Sequence, residues 1–126
     1  MYRAMRADVA EWGGAGARRT VAECVEAPAH AGRLEGASRV GESRADGRIV
    51  RIGVFPDGSV RFRATSCASL IAYAEMACAA LEAGVPWGAL DAAALRSRVR
   101  GVHPSHLERA ALVAAAVRAA IAPEDR

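Results

Sequence analysis

The sequence predicts an α+β domain in which a three-stranded, mostly antiparallel sheet packs against several helices. Three observations predict it. Val50, Ile52 and Val54 alternate with polar or small residues, as do Val60, Phe62 and Ala64, and Pro56-Asp57-Gly58 lies between the two segments as a turn. The stretch that follows, from about Ser66 to Glu82, is apolar nearly all round, which is the pattern of a helix buried at the centre of a fold. Leu107, Ala111, Ala114, Val117 and Ile121 then recur at helical spacing towards the C-terminal end.

Residues 1–17, with Gly13, Gly14 and Gly16, read as a short helix followed by a flexible joint. A single domain spans 18–122, and 123–126 form a tail. Val21, Cys24 and Val25 fit a short amphipathic helix over 18–26 that Pro28 ends. Extended segments are expected over 33–43, 47–55 and 59–64. Within the last two, Arg61 and Arg63 point away from the apolar face, so one face of the sheet is buried and helices must cover it. Gly84 and Pro86 terminate the central helix over 66–82. A shorter helix is expected from Asp91 to Gly101 and a closing one from Pro104 to Ala122. Ser105 and Glu108 have the spacing of a capping box, while Pro104 equally fits a first helical turn.

A chain of 126 residues suffices for one domain with a real core. Its hydrophobic content of 52% is inflated by alanine and its aromatic content is 5%, so the core rests on Leu, Ile, Val and close Ala-mediated packing. The net charge of +3 comes from arginine, since the chain has no lysine. The arginines are scattered among Glu and Asp without an aromatic-rich basic stripe, so nucleic-acid binding is not expected; Arg96, Arg98 and Arg100 read as a solvated helix end. No secretory leader is evident, and the three cysteines, Cys24, Cys67 and Cys78, lack tight spacing, so reduced thiols in a cytoplasm are expected. Glu75 and Glu82 interrupt the longest apolar run, so no membrane span is expected.

Cys67 carries the most chemistry. It sits where a strand gives way to the central helix, and the first helical turn presents unpaired N–H groups and about half a positive charge, which favour a thiolate. That makes Cys67 a candidate ligand or nucleophile; equally, it is a small hydrophobe in line with Leu70, Ala74 and Leu81. Cys67 and Cys78 lie about 20° apart around the helix but roughly 16 Å apart along it, too far to share one metal. Cys24 reads as a buried helix residue.

The order of helix, three strands, central helix with a cysteine at its start and two further helices resembles the U-type iron-sulfur cluster assembly scaffold family, the NifU-like N-terminal domain. Glu26-Ala27-Pro28-Ala29-His30-Ala31-Gly32-Arg33-Leu34 is similar to that family's Glu-Asn-Pro-x-x-x-Gly-x-Leu segment, and Arg63-Ala64-Thr65-Ser66-Cys67-Ala68-Ser69 to its Lys-Thr-x-Gly-Cys-x-x-Ala stretch. The Ala-rich run from Leu112 to Ile121 resembles its closing helix, so the likeness covers about residues 20–122. Two scaffold thiols are replaced. Val40-Gly41-Glu42 stands for Cys-Gly-Asp, and His103-Pro104-Ser105-His106-Leu107-Glu108-Arg109 for Pro-Pro-x-x-x-His-Cys.

The resemblance implies a scaffold-like protein of iron-sulfur metabolism, not an enzyme, with a degenerate ligand set. Glu42, Cys67 and Glu108 would converge to hold a ferrous or zinc ion, with His106 as a further nitrogen donor; an iron-sulfur cluster would be the family's cargo. Arg109, standing where the family has a thiolate, would pair with Glu42 or lower the pKa of Cys67. The expected partners are a sulfur-donor enzyme or other iron-sulfur assembly proteins. The alternative is a cluster-incompetent interaction module that docks on those components. A third reading makes Cys67 a nucleophile or sulfur acceptor, activated by the helix start and by Arg109 or His106.

Overall fold

A computed structural model of the chain describes residues 18–121. The expected helix and joint over 1–17 and the tail lie outside the described residues. Among the described residues the fold is α+β: a three-stranded antiparallel sheet and four α-helices. The elements run in the order β1 (Arg19–Thr20), α1 (Val21–Glu26), β2 (Arg39–Ala45), β3 (Arg48–Val54), β4 (Val60–Ala64), α2 (Ala68–Glu82), α3 (Ala92–Arg98), β5 (Val99–Arg100) and α4 (Arg109–Ile121). Single 3-10 turns occupy Trp87–Ala89 and Pro104–His106.

The sheet has the order β2-β3-β4. β2 and β3 form a hairpin around Asp46-Gly47, whose φ values of 53° and 78° are those a two-residue turn needs to follow the strand twist. Asp57 closes the next turn, its carboxylate accepting from the Ser59 N–H at 2.9 Å and the Ser59 hydroxyl at 2.7 Å. Directly opposed residues share a face, so Gly41, Ile52 and Phe62 look towards the helices while Glu42, Arg51 and Arg63 look outward.

α2 is the central helix. Its residues from Ser69 to Cys78, apart from Ile71, are all buried, because α1, β4 and α4 pack around it. α4 lies along β2, and the approach is close enough that Gly41 is buried beneath it. Among the described residues no helix is long and apolar enough to cross a membrane.

Four boundaries differ from the sequence expectation. The first helix begins only at Val21: Thr20 caps it in a capping box with Glu23, and Arg19–Thr20 pair in parallel with Val99–Arg100 as a separate two-stranded sheet. The same pairing ends α3 at Arg98 rather than at Gly101, while Asp91 caps its start by accepting from the Ala94 N–H. The first strand of the three-stranded sheet starts at Arg39, because the preceding loop folds over the outer face and packs Leu34 and Ala37 onto Gly53. The closing helix is interrupted. Pro104 opens a 3-10 turn capped by the His103 ring, and no Ser105–Glu108 box forms, since Glu108 pairs with Arg109 and the Ser105 N–H donates to His103 Nδ1.

Candidate functional site

Cys67 is the N-cap residue of α2, half-buried at the junction that follows β4. Two contacts frame it. On one side the Thr65 N–H donates to the Ile49 carbonyl at 3.0 Å, and the Thr65 hydroxyl accepts from the Ile49 N–H at 2.7 Å, which sets the beginning of β3, and with it Arg48, beside the thiol. On the other, Ser69 Oγ lies 3.2 Å from His106 Nδ1, which draws the 3-10 turn before α4, and Arg109 after it, over the start of α2.

Partial burial by itself raises the Cys67 pKa. The Leu70 N–H, the Arg109 charge, the Arg48 side chain and the Ser69 N–H together outweigh that burial and hold the thiol below its ordinary value. The sulfur feels these N–H groups without closing a full capping hydrogen bond. The other cysteines behave oppositely. Cys24 and Cys78 are fully buried, and burial is the chief cause that pushes both of their thiols up. Cys67 is thus the thiol among the three that combines access with a favoured anion.

Arg109 is itself buried; it donates from one terminal nitrogen to Glu108 Oε2 at 3.0 Å and to the Ser105 carbonyl at 3.4 Å. Its charge is one of the causes that lower the Cys67 pKa, while Glu42, the alternative partner, pairs instead with Arg44 and Arg51. Glu42 stands on the outer face of the sheet, where Arg51 and Arg44 hold its two oxygens at 2.7 and 2.8 Å and lower its pKa, Arg51 being the larger cause. Desolvation first, then the charges of Arg109 and His103, lower the pKa of His106, so its ring is neutral at pH 7 and engaged with Ser69.

A metal does not fit these residues. Glu42 faces away from Cys67 and is occupied by two guanidinium groups, while Cys67 itself is flanked by two more. Among the described residues no group of three or more His, Cys, Asp or Glu side chains is placed to hold a metal ion. The structure therefore brings Cys67 together with Arg48 and Arg109, and leaves Glu42 out of the expected Glu42, Cys67 and Glu108 set. Glu108 lies on the same cleft as Arg48 and Arg109, and so does Asp46, an acidic residue that the sequence reading passed over.

A second polar cluster also escaped the sequence reading. The His30 ring lies between two carboxylates, Nδ1 at 2.6 Å from Glu75 Oε2 and Nε2 at 2.9 Å from Glu82 Oε1. Glu75 Oε1 also accepts from the His30 N–H at 2.9 Å, and Glu82 Oε2 accepts from the Val60 N–H at 2.8 Å and from Arg61 at 2.9 Å. Both ring nitrogens point at different carboxylates, so the cluster is a hydrogen-bonded clasp. It ties the segment after α1 to α2 and to the beginning of β4. Its one legible signal was the pair of acidic residues in an otherwise apolar helix, since a buried carboxylate demands partners.

No protein-family model matches the chain, and no curated protein matches it.

Proposed function

We propose that this chain is a U-type scaffold-like protein of iron-sulfur metabolism that acts through one thiolate, Cys67, as a sulfur acceptor, without assembling a cluster on its own residues. The observation that carries the reading is the convergence of the α2 start, Arg48 and Arg109 on Cys67. The order of elements, three antiparallel strands followed by a central helix headed by a cysteine, supports it as a likeness to that family. Cationic surroundings suit a nucleophilic thiolate and oppose a ferrous ion.

In the proposed step the Cys67 thiolate attacks the outer sulfur of a persulfide on a sulfur-donor enzyme. A new S–S bond forms at Cys67, the donor's S–S bond breaks, and its electron pair leaves on the donor thiolate. The proton on the transferred sulfur stays with it, and no oxidant is needed.

The test is incubation of the full chain with a cysteine desulfurase and cysteine, followed by intact-mass measurement, alongside anaerobic loading with ferrous iron and sulfide. The expected result is gain of a single sulfur per chain in the wild type and none in Cys67→Ser, with no stoichiometric iron in either. Stoichiometric iron with acid-labile sulfide would contradict the proposal. Capture of the desulfurase by wild type and Cys67→Ser alike, with no sulfur gained, would replace it with the docking-module reading.

A further inference from the structure

We propose that the outer face of the sheet docks an acidic segment of a partner protein, adjacent carboxylates with aliphatic residues on either side, through Arg51 and Arg63. The surface goes beyond the sulfur-acceptor reading and does not depend on it, since none of Cys67, Arg48 and Arg109 lines it.

Strand register sets up the charge. Arg51 on β3 and Arg63 on β4 stand directly opposite each other on the outward face. Like charges at that spacing destabilise a sheet, and such a local conflict is characteristic of a surface kept for binding. The carboxylate in the same row, Glu42 opposite Arg51, does not neutralise the pair: one of its oxygens accepts from Arg51 at 2.7 Å and the other from Arg44 at 2.8 Å. Arg63 is exposed and has no hydrogen-bond or ion-pair partner among the described residues. Arg33, close by, meets only Glu35, at 3.8 Å with both side chains in solvent, a pair that contributes little.

Two depressions meet at Arg63. One, of about 710 Å³, lies under the loop that folds over Gly53 and is lined by Leu34, Val40 and Arg51 as well as by Arg33, Glu35 and Glu42. The other, of about 280 Å³, lies where α1, the loop after it, β4 and α2 come together, and Val25, Pro28, Ala31 and Ile71 line it. Val40 is 48% exposed and Val25 38%, and among the described residues the other large apolar side chain so exposed is Leu107. The arginine pair thus has an aliphatic patch at each end, the mixture of guanidinium anchors and apolar contact that protein interfaces favour.

The same lining opposes a nucleic acid. Glu35 and Glu42 would repel a continuous chain of phosphates, and the aromatic ring on these walls, Phe62, is buried and offers no stacking platform. Carboxylates on a peptide can be set against Arg51 and Arg63 alone, with aliphatic neighbours on Val40 and Val25.

The experiment pans the full chain with a random-peptide display library. The enriched peptide is then titrated by fluorescence anisotropy, beside its counterpart with Asn and Gln for Asp and Glu and beside oligothymidylate. The enriched sequences should carry adjacent carboxylates flanked by aliphatic residues. The amide counterpart on wild type, and the acidic peptide on Arg63→Gln, should each bind about tenfold more weakly, the effect of one charge-assisted hydrogen bond. Val40→Ser should weaken binding less, and Cys67→Ser should bind as wild type does. Arg63 is exposed and unpartnered, so its variant keeps the fold. No enrichment, enrichment of neutral peptides, or equal binding of the acidic peptide by wild type and Arg63→Gln would overturn the proposal. Oligothymidylate bound more tightly than the acidic peptide, and lost in Arg63→Gln, would overturn it in favour of a nucleic-acid surface.

Discussion

Replacing Gly41 with alanine is expected to destabilise the domain by about 3 kcal/mol, the upper part of the range for overpacking a close-packed interior. A Cβ built on Gly41 would lie 2.3 Å from the Ala116 carbonyl oxygen, 2.3 Å from the Ala120 nitrogen and 2.8 Å from the Ala119 carbonyl carbon. All three are backbone atoms of α4, so no side chain can rotate aside and the helix must lift from β2. The loss would spread to Val113, Ala116, Val117 and Ala120, which α4 buries in the core. Urea denaturation of wild type and Gly41→Ala measures it as a fall in midpoint at unchanged slope. A midpoint within error of the wild type would mean that α4 does not seat on β2 in this way. Ser43, two residues further along the same face, is only half-buried; Ser43→Ala serves as the control, with little effect expected.

The second large effect is expected from Glu75→Ala, a loss of about 2–3 kcal/mol, because the His30 N–H and the His30 Nδ1 both lose their acceptor while Glu82 still holds Nε2. Glu75 is 1% exposed, and it accepts both from the His30 N–H and from the His30 ring. Glu75→Gln keeps an acceptor for the backbone N–H and should cost less. The pH dependence follows from the same contacts. The hydrogen bond to Glu75 is the main cause raising the His30 pKa; burial opposes it and Glu82 reinforces it. A raised folded value means that the imidazolium's contribution is complete below about pH 6.5, the ordinary histidine value, and fades as pH rises through the higher folded one. Glu82 runs the other way. Its partial burial pushes the carboxyl up, but the Val60 N–H, His30 and Arg61 hold it lower on balance. Its contribution is therefore complete above about pH 4.3 and is lost as pH falls through the folded value. Thermal midpoints of wild type and His30→Gln should differ most between those limits and converge towards alkaline pH. A difference that grows with rising pH would contradict a protonated His30 in the clasp.

The parts of the fold that were legible in the sequence are those set by local pattern. Alternation around Pro56-Asp57-Gly58 located β3 and β4 to within a residue, and the all-round apolar stretch located α2. What escaped depends on distant partners. Arg33 to Ser38 precede β2 as a loop because Gly53 leaves room for Leu34 and Ala37, and Arg19–Thr20 are extended because Val99–Arg100 lie beside them. At the site, Cys67 was readable from its helix start alone, and its relation to Arg109 only through the resemblance, which sets Arg109 where that family has a thiolate. Arg48 was not, because the Thr65–Ile49 hydrogen bonds bring it there. The resemblance implies that Glu42 converges with Cys67, whereas the strand places it on the outer face with Arg44 and Arg51. The alternation that buries Gly41 beneath α4 must turn the next residue outward, a consequence of strand geometry that the match to Cys-Gly-Asp obscured. His30 and Glu75 are 45 residues apart, with nothing local to couple them.

The central claim is that Cys67 is a reachable thiolate favoured by the α2 start and two arginines. The pH dependence of its alkylation by iodoacetamide, followed at the peptide level in the folded wild type and in Arg48→Gln, tests it most directly. A midpoint below about 8.5, the ordinary thiol value, moving upward in Arg48→Gln while Cys24 and Cys78 stay unmodified, is the predicted result. A midpoint at or above the free-thiol value, unmoved by the substitution, would contradict it.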